Sequence, residues 1–411
     1  MPSSDSQKNA PDRISALPDD LLIYIMWFLT LQDAVQTSVL SRRWQNLWAS
    51  LTILVFDAAK FSSMRTFRKF VNNALLLRSS LSDPVPLDEL CISAVCHNSD
   101  DSLDYSDIHP WIRHALNSKA CTLSIVEHSG PKPLSMQGYP FPFTSAYLNM
   151  LSLCHCSIDD WFAQNLSSCC PVLDDLELMS CAIHVTMFSS TKLKSLTITS
   201  THTEKDFPVE FQYLVINMPN LVSLQLEEIP RRNIRLEDVS SVQTASIYLF
   251  SLSFGNSQVQ CSILSALSNA TSLTLVSPSV FEDVVPKVLQ HDLLRCGTFS
   301  KLKLLHLGEW FSTRGCYPLI CLLQRSPGII KLVLQLDKSG DDDYERLQNA
   351  DAEINPPCNE SVTTFSCEKL RKIRIHCDLW NDKRAQIIVC ILSARLCPLP
   401  DIKIKPKIVL S

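Results

Sequence analysis

Glycine is scarce, with 8 in 411 residues, and no two are spaced as in the loops that cradle phosphates or dinucleotides. Neither G-x-S-x-G nor H-E-x-x-H occurs, and ten dispersed histidines favour no general base. The expectation is therefore a non-catalytic protein, a triad assembled by the fold being the only enzymatic route left open. No stretch of about 18 uncharged apolar residues exists, which argues against a spanning helix. The polar start MPSSDSQKNAPD lacks the apolar core of a secretory signal. Lysine and arginine form no run, and the net charge is −5, so neither nucleic acid nor membrane is an expected partner.

Cysteine is plentiful, at 17, without framework spacing. In a chain without a secretory signal such cysteines read as reduced thiols of an intracellular protein of the nucleus, the cytoplasm or both. Cys154-His155-Cys156 and Cys169-Cys170 come nearest to a metal motif but lack a C-x-x-C reach, and Asp341-Asp342-Asp343 lacks the glycine and distal glutamate of a calcium loop. No metal or cofactor is expected.

What is present begins with a dense stretch at residues 13–48. Leu17, Leu21, Leu22, Ile25, Phe28 and Leu29 fall at helical spacing behind Pro18, Asp19 and Asp20, which suit a helix start. Thr30 with Asp33 forms a capping box for a second helix, and Ser41 can cap a third through Arg42, Arg43, Trp44, Leu47 and Trp48. Three helices this short cannot bury all those apolar side chains against one another, so a partner is expected on the remainder.

A helix is expected over 61–80, followed by the breaker Asp83-Pro84-Val85-Pro86. From Leu87 the pattern apolar-x-x-apolar-x-apolar recurs: Leu87/Leu90/Ile92, Ala120/Leu123/Ile125, Leu148/Leu151/Leu153, Leu173/Leu176/Leu178, Leu193/Leu196/Ile198 and Leu221/Leu224/Leu226. A weak copy at Thr244/Ile247/Leu249 precedes Ala270/Leu273/Leu275, Leu302/Leu305/Leu307, Ile329/Leu332/Leu334 and Leu370/Ile373/Ile375. Each copy reads as a short strand that buries its alternate residues only when its neighbours stack beside it. Trp161, Phe162 and Leu166 read as one of the outer helices. The expected fold is α/β: a three-helix N-terminal unit over 13–57, a linker helix over 58–86, an irregular parallel β horseshoe over 87–377 with an aperiodic acidic loop at 337–361, and a cap over 378–411. In that cap Asn381 is the expected start of a helix through Ile387, Ile388, Ile391 and Leu392, before a last strand at Ile402-Lys403-Ile404.

The run Leu17-Pro18-Asp19-Asp20-Leu21-Leu22, with Ile25, Ala34-Val35, Leu40-Ser41-Arg42-Arg43-Trp44, Leu47-Trp48 and Leu54-Val55-Phe56-Asp57, resembles the F-box of the plant F-box/leucine-rich-repeat proteins. Trp27-Phe28 departs from the small or polar residues usual there. The repeats carry the same likeness in Ser168-Cys169-Cys170-Pro171-Val172-Leu173-Asp174-Asp175-Leu176-Glu177-Leu178, in Met218-Pro219-Asn220-Leu221, and in Trp111-Ile112 with Ala115-Leu116. The resemblance implies a non-catalytic substrate-recognition subunit of a Skp–cullin–F-box ubiquitin ligase. It also implies adaptor-binding roles for Leu17, Pro18, Leu21, Leu22, Ile25, Val35, Leu40, Trp44 and Leu47. The alternatives are a hormone or small-molecule co-receptor and, further off, a repeat scaffold without a ligase role. Fewer repeats and the lack of a basic cluster for an inositol phosphate put the co-receptor below plain protein recognition.

Strand alternation turns the residues flanking the inward leucines to the open face. Glu89, Asp175, Glu177 and Glu227 fall early, Tyr248 and Phe250 in the middle, and His306, Lys331, Lys372, Arg374 and His376 late. Aromatics beside spaced cations make Tyr248, Phe250, His306, Lys331, Lys372 and Arg374 the expected target-binding set.

Overall fold

The structure is a computed structural model and describes residues 14, 16–81, 85–94, 103–127, 133–136, 143–199, 213–227, 233–248, 263–276, 292–311, 316–336, 364–377 and 382–406. Among these, thirteen strands build one all-parallel sheet whose spatial order follows the chain from Ile53–Asp57 to Asp401–Pro406. A parallel sheet grown in chain order, with helices and short strands in the connections, is the repeat solenoid that the recurring leucines require.

The register explains the phase of the repeat. One apolar row runs from Leu54 through Leu90, Leu123 and Leu151 to Leu332, Ile373 and Ile402; the next runs from Phe56 through Ile92, Ile125 and Leu153 to Leu334, Ile375 and Ile404. Both rows are buried except at the last strand, where Ile402 and Ile404 are half-covered. The leading residue of each copy, such as Leu87, Leu148 or Leu221, is buried in the turn before its strand. That turn also carries the polar connection between repeats. The Thr52 carbonyl accepts from the amides of Asp88 and Glu89, and the Asp88 carbonyl from Cys121 and Thr122. The same forked step continues through Cys121, Asn149, Asp174, Lys194, Val222, Gln243, Thr271, Lys303 and Ile330 to Arg371, whose carbonyl accepts from Asp401 at 3.0 Å. Each strand start is thus tied to its neighbour by backbone alone, so side chains there vary while the repeat persists.

The structure refines the expected elements. The copy at 244 is Val242/Ala245/Ile247, because Ala245 and Ile247 pair with Leu224 and Leu226, and the small Ala245 hid the phase. Leu54-Val55-Phe56-Asp57, which close the N-terminal unit in sequence, also form the first strand of the sheet, which the repeat pattern from Leu87 onward did not include. The late helix Lys383–Arg395 is capped by Asp382, whose carboxylate accepts from the Arg384 amide at 2.9 Å; Asn381 lies outside the described residues. The expected outer helix at Trp161 is Asp160–Cys169, with Phe162 and Leu166 buried. The acidic stretch 337–361 is outside the described residues.

Because Ile373 and Ile375 are covered by the last strand, a chain ending after Cys377 exposes a fresh apolar edge. It is expected to melt at distinctly lower temperature, or to aggregate, in differential scanning fluorimetry. An unchanged melting temperature would contradict a capping role for residues 382–406.

The N-terminal helices are α1 (Asp19–Met26) and α2 (Leu31–Gln36), and the linker helix α3 (Met64–Ser79) leads to α4 (Tyr105–Asn117) after the second strand. Thr30 caps α2, accepting from the Asp33 amide at 3.2 Å and donating to its carboxylate at 2.7 Å. The third expected helix is absent: residues 40–46 form turns with i to i−3 bonds such as Trp44 N to the Ser41 carbonyl, followed by a 3-10 turn Leu47–Ser50. Ser41 does not cap, its hydroxyl having no hydrogen-bond partner.

The joint between this unit and the sheet turns on Arg78. It is fully buried at the end of α3 and donates to the carbonyls of Ala49, of Leu51 at 2.8 Å and of Val85 at 2.7 Å. Among the described residues no carboxylate pairs with it, and burial lowers its pKa to about 10. His114 on α4 lies close by, its Nδ1 3.0 Å from the Ser79 hydroxyl. Since that hydroxyl donates to the Leu75 carbonyl, Nδ1 carries the proton and Nε2, buried without a partner, is left as acceptor. Burial first, and the Arg78 charge second, lower the His114 pKa to about 4 from its ordinary value of 6.5. In that window the unfolded chain takes up a proton that the folded chain refuses, so stability falls as pH drops from about 6.5 toward 4. After discounting for solvent screening the loss is about 1–2 kcal/mol. His114→Gln is expected to flatten the melting temperature between pH 6.5 and pH 4.5; an unchanged slope would refute this origin.

Candidate functional site

α1 is apolar on two sides. Leu22 and Met26 are buried against Leu31, Ala34, Trp44, Leu47 and Trp48. The opposite side presents Leu21, Tyr24 and Ile25, and the turn after the helix continues that surface with Phe28, 70% exposed. Tyr24 stacks edge-on against Phe28 with centroids 5.1 Å apart. Ile14, Trp27, Leu29, Val39 and Leu40 add to the exposed apolar surface of the same unit, Val39 being 87% exposed. A helix apolar all round is stable in water only when both sides are covered, so this surface is built to be occupied. Arg43 fixes the entry to α1, donating to the Leu17 carbonyl at 2.5 Å and to Asp19 at 2.6 Å.

This geometry divides the nine adaptor-binding residues expected from sequence. Pro18, Leu21, Ile25 and Leu40 are exposed, and Leu17 and Val35 half-buried. Leu22, Trp44 and Leu47 are 0%, 3% and 9% exposed and lie beneath the outer side chains of the unit. Tyr24, Phe28 and Val39 share this exposed surface and stand outside the expected set, although the i, i+3/i+4 repeat of apolar residues through Phe28 carried the signal. Trp27 also lines a cleft of about 210 Å³ between the unit and the start of the sheet, together with Met26, Leu29, Leu51, Val55 and Phe61.

The open face of the sheet is mixed, with Val55, Met150 and Val333 among its polar residues. The early acids include Glu89, Asp175 and Glu177, and Asp174 at the edge of this face pairs with Lys194 at 2.6 Å. Of the expected target-binding set, Tyr248 and His306 are half-buried and Lys331 and Lys372 exposed, whereas Phe250 lies outside the described residues. Arg374 is bound to Asp401 at 3.3 Å with its side chain only 17% exposed, so it is not the open cation expected from sequence. Burial chiefly lowers the pKa of His306, opposed by a hydrogen bond with Gln335 and aided by the His376 and Lys331 charges.

The described cysteines are all free thiols. Burial raises Cys154 to about 11 and Cys170 to about 12, which keeps them protonated and inert. Cys154, His155 and Cys156 are buried, and no group of three or more potential ligands converges on a metal site among the described residues. No helix among the described residues is long and apolar enough to cross a membrane.

A helical unit with an exposed apolar face thus precedes a parallel repeat solenoid, the architecture of a binding module. Comparison with known proteins agrees: residues 14–56 match the F-box domain. The chain is similar to an F-box/FBD/LRR-repeat protein of Arabidopsis thaliana, 24% identical over 87% of this chain and 85% of that protein. It is similar to a second F-box/FBD/LRR-repeat protein of that plant at 27% identity, covering 80% and 78%, and to an F-box/LRR-repeat protein at 25%, covering 80% and 71%. The chain thus carries an F-box and resembles the plant F-box/leucine-rich-repeat family along most of its length, and the likeness supports an adaptor-type role in ubiquitin ligases.

Proposed function

We propose that this protein is the substrate-recognition subunit of a Skp–cullin–F-box ubiquitin ligase, active in the nucleus, the cytoplasm or both. The F-box at 13–57 docks on a Skp-type adaptor and through it on a cullin; the linker helix at 58–86 joins it to the repeats at 87–377, which, closed by the cap at 378–411, hold a target protein. The subunit itself has no catalytic role. Its contribution is proximity, since a target tethered beside the transferring enzyme reacts at a high effective concentration.

The observation that carries this reading is the exposed side of α1 and the turn after it, where Leu21, Tyr24, Ile25 and Phe28 stand uncovered although the other side of the helix is already packed. Co-expression with a plant Skp-type adaptor and cullin tests it. The wild-type chain should co-purify with both, and Leu17→Ala with Pro18→Ala should lose both while remaining folded. Retention by the folded double variant, or failure of the wild type to bind, would reject the proposal.

A further inference from the structure

The last three strands gather cations that are far apart in sequence. On the open face Lys331 stands beside Lys372, Arg374 beside Lys403, and His376 beside Lys405. Neighbouring strands are about 4.8 Å apart, and like charges placed side by side on a sheet weaken it. Among the outward residues of these strands the one acid is Asp401, and it is shared: 3.3 Å from Arg374 and 3.9 Å from Lys403. Lys331, Lys372 and Lys405 are exposed and make no ion pair among the described residues. The chain as a whole carries −5, so this is a local reversal of sign.

Lysines at a sheet edge also discourage edge-to-edge pairing, which accounts for Lys403 and Lys405 on the last strand. It does not account for Lys331 and Lys372, whose strands are paired on both sides. Their proximity costs stability inside the sheet, and an anionic partner would offset it.

We infer that this ladder receives an extended acidic segment of the target protein, with carboxylates on alternate residues. The inference rests on the proposed role of the repeats in holding a target. Alternate side chains of an extended chain recur about every 6.6–6.8 Å, the spacing of Lys403 and Lys405 along their own strand. A segment laid along the strands therefore sets its acids against successive cations. Lys331 and Lys372 flank the same track.

Fluorescence anisotropy on the full chain tests this with three labelled peptides: alternating Glu and Ser, alternating Gln and Ser, and the Gln/Ser peptide bearing one phosphoserine. The Glu/Ser peptide is expected to bind at least about ten-fold more tightly than Gln/Ser and to weaken steeply as salt rises from about 50 to about 300 mM. Charge reversal by Lys331→Glu, Lys372→Glu and Lys405→Glu should reduce its affinity at least about ten-fold, with adaptor binding unchanged. If that variant does not fold, Lys331→Gln with Lys372→Gln should weaken binding in the same direction. Equal binding of the Gln/Ser peptide, undiminished binding by the folded variants, or binding of the phosphorylated peptide alone would overturn the inference. Adaptor binding measured on the same preparation separates the two readings: intact adaptor binding without acidic preference fails the ladder only, and the reverse fails the F-box proposal only.

Discussion

Arg78→Ala is expected to lower the melting temperature by on the order of 5 °C or more, the largest stability loss of any single substitution at the joint between the F-box and the repeats. Three carbonyls from two segments converge on this guanidinium: Ala49 and Leu51 lie in the stretch that leads into the first strand, and Val85 leads to the second. Removing the donor leaves those acceptors buried and opens a cavity, for a combined cost of about 3 kcal/mol or more. Arg78→Met separates the two contributions. It keeps the apolar stem and still strands the carbonyls, so it should recover only part of the loss. Arg78→Lys should fall between, because one ammonium cannot reproduce the planar fork. Scanning calorimetry of the three variants checks the order. Equal stability of wild type and Arg78→Met would show that the bonds contribute nothing and that α3 is held by packing alone.

Most of the solenoid was legible because its signal is covalent in origin. Side chains alternate along a strand, so a leucine three residues before two alternating apolar positions marks a unit whether or not the period is constant. Ten copies read this way fall on strands with their leading residues buried. The eleventh slipped by two residues because Ala245 is too small to register as the inward residue, and Leu249 took its place in the pattern. The first strand went unseen for a different reason: Leu54 and Phe56 also complete the F-box likeness, and only the pairing with Leu90 and Ile92 shows that they open the sheet.

The candidate sites were legible in part. Composition told that α1 carries more apolar surface than its unit can hide, and the structure sorts that surface into a buried side with Leu22 and an exposed side with Leu21. Sequence cannot make that division where Leu21 to Met26 are apolar without a break, since the hydrophobic pattern then has no polar face to orient it. The third helix failed because Ser41 is a competent cap with no helix behind it; the side chains of Trp44, Leu47 and Trp48 are drawn into the core instead. The basic ladder is invisible to any search for runs of lysine. Its members lie on strands separated by long connections, and it exists only after Lys331, Lys372 and Asp401 are brought into one row.

The second large effect is on binding. Leu21→Asp with Ile25→Asp is expected to weaken adaptor binding on the order of 100-fold or more, because each substitution places a charge where an apolar contact is buried on docking. Both residues are exposed in the free chain, at 48% and 40%, so the melting temperature should hardly move. Leu22→Ala should do the opposite: a fall in stability of about 2–5 kcal/mol, with weakened binding only as far as the helix loosens.

Titration calorimetry of a purified Skp-type adaptor into the full chain, wild type against Leu21→Asp with Ile25→Asp, measures this directly. Tight stoichiometric binding by the wild type and none detectable by the equally stable double variant is the predicted result; equal affinity for both proteins would contradict the assignment of this face as the adaptor site.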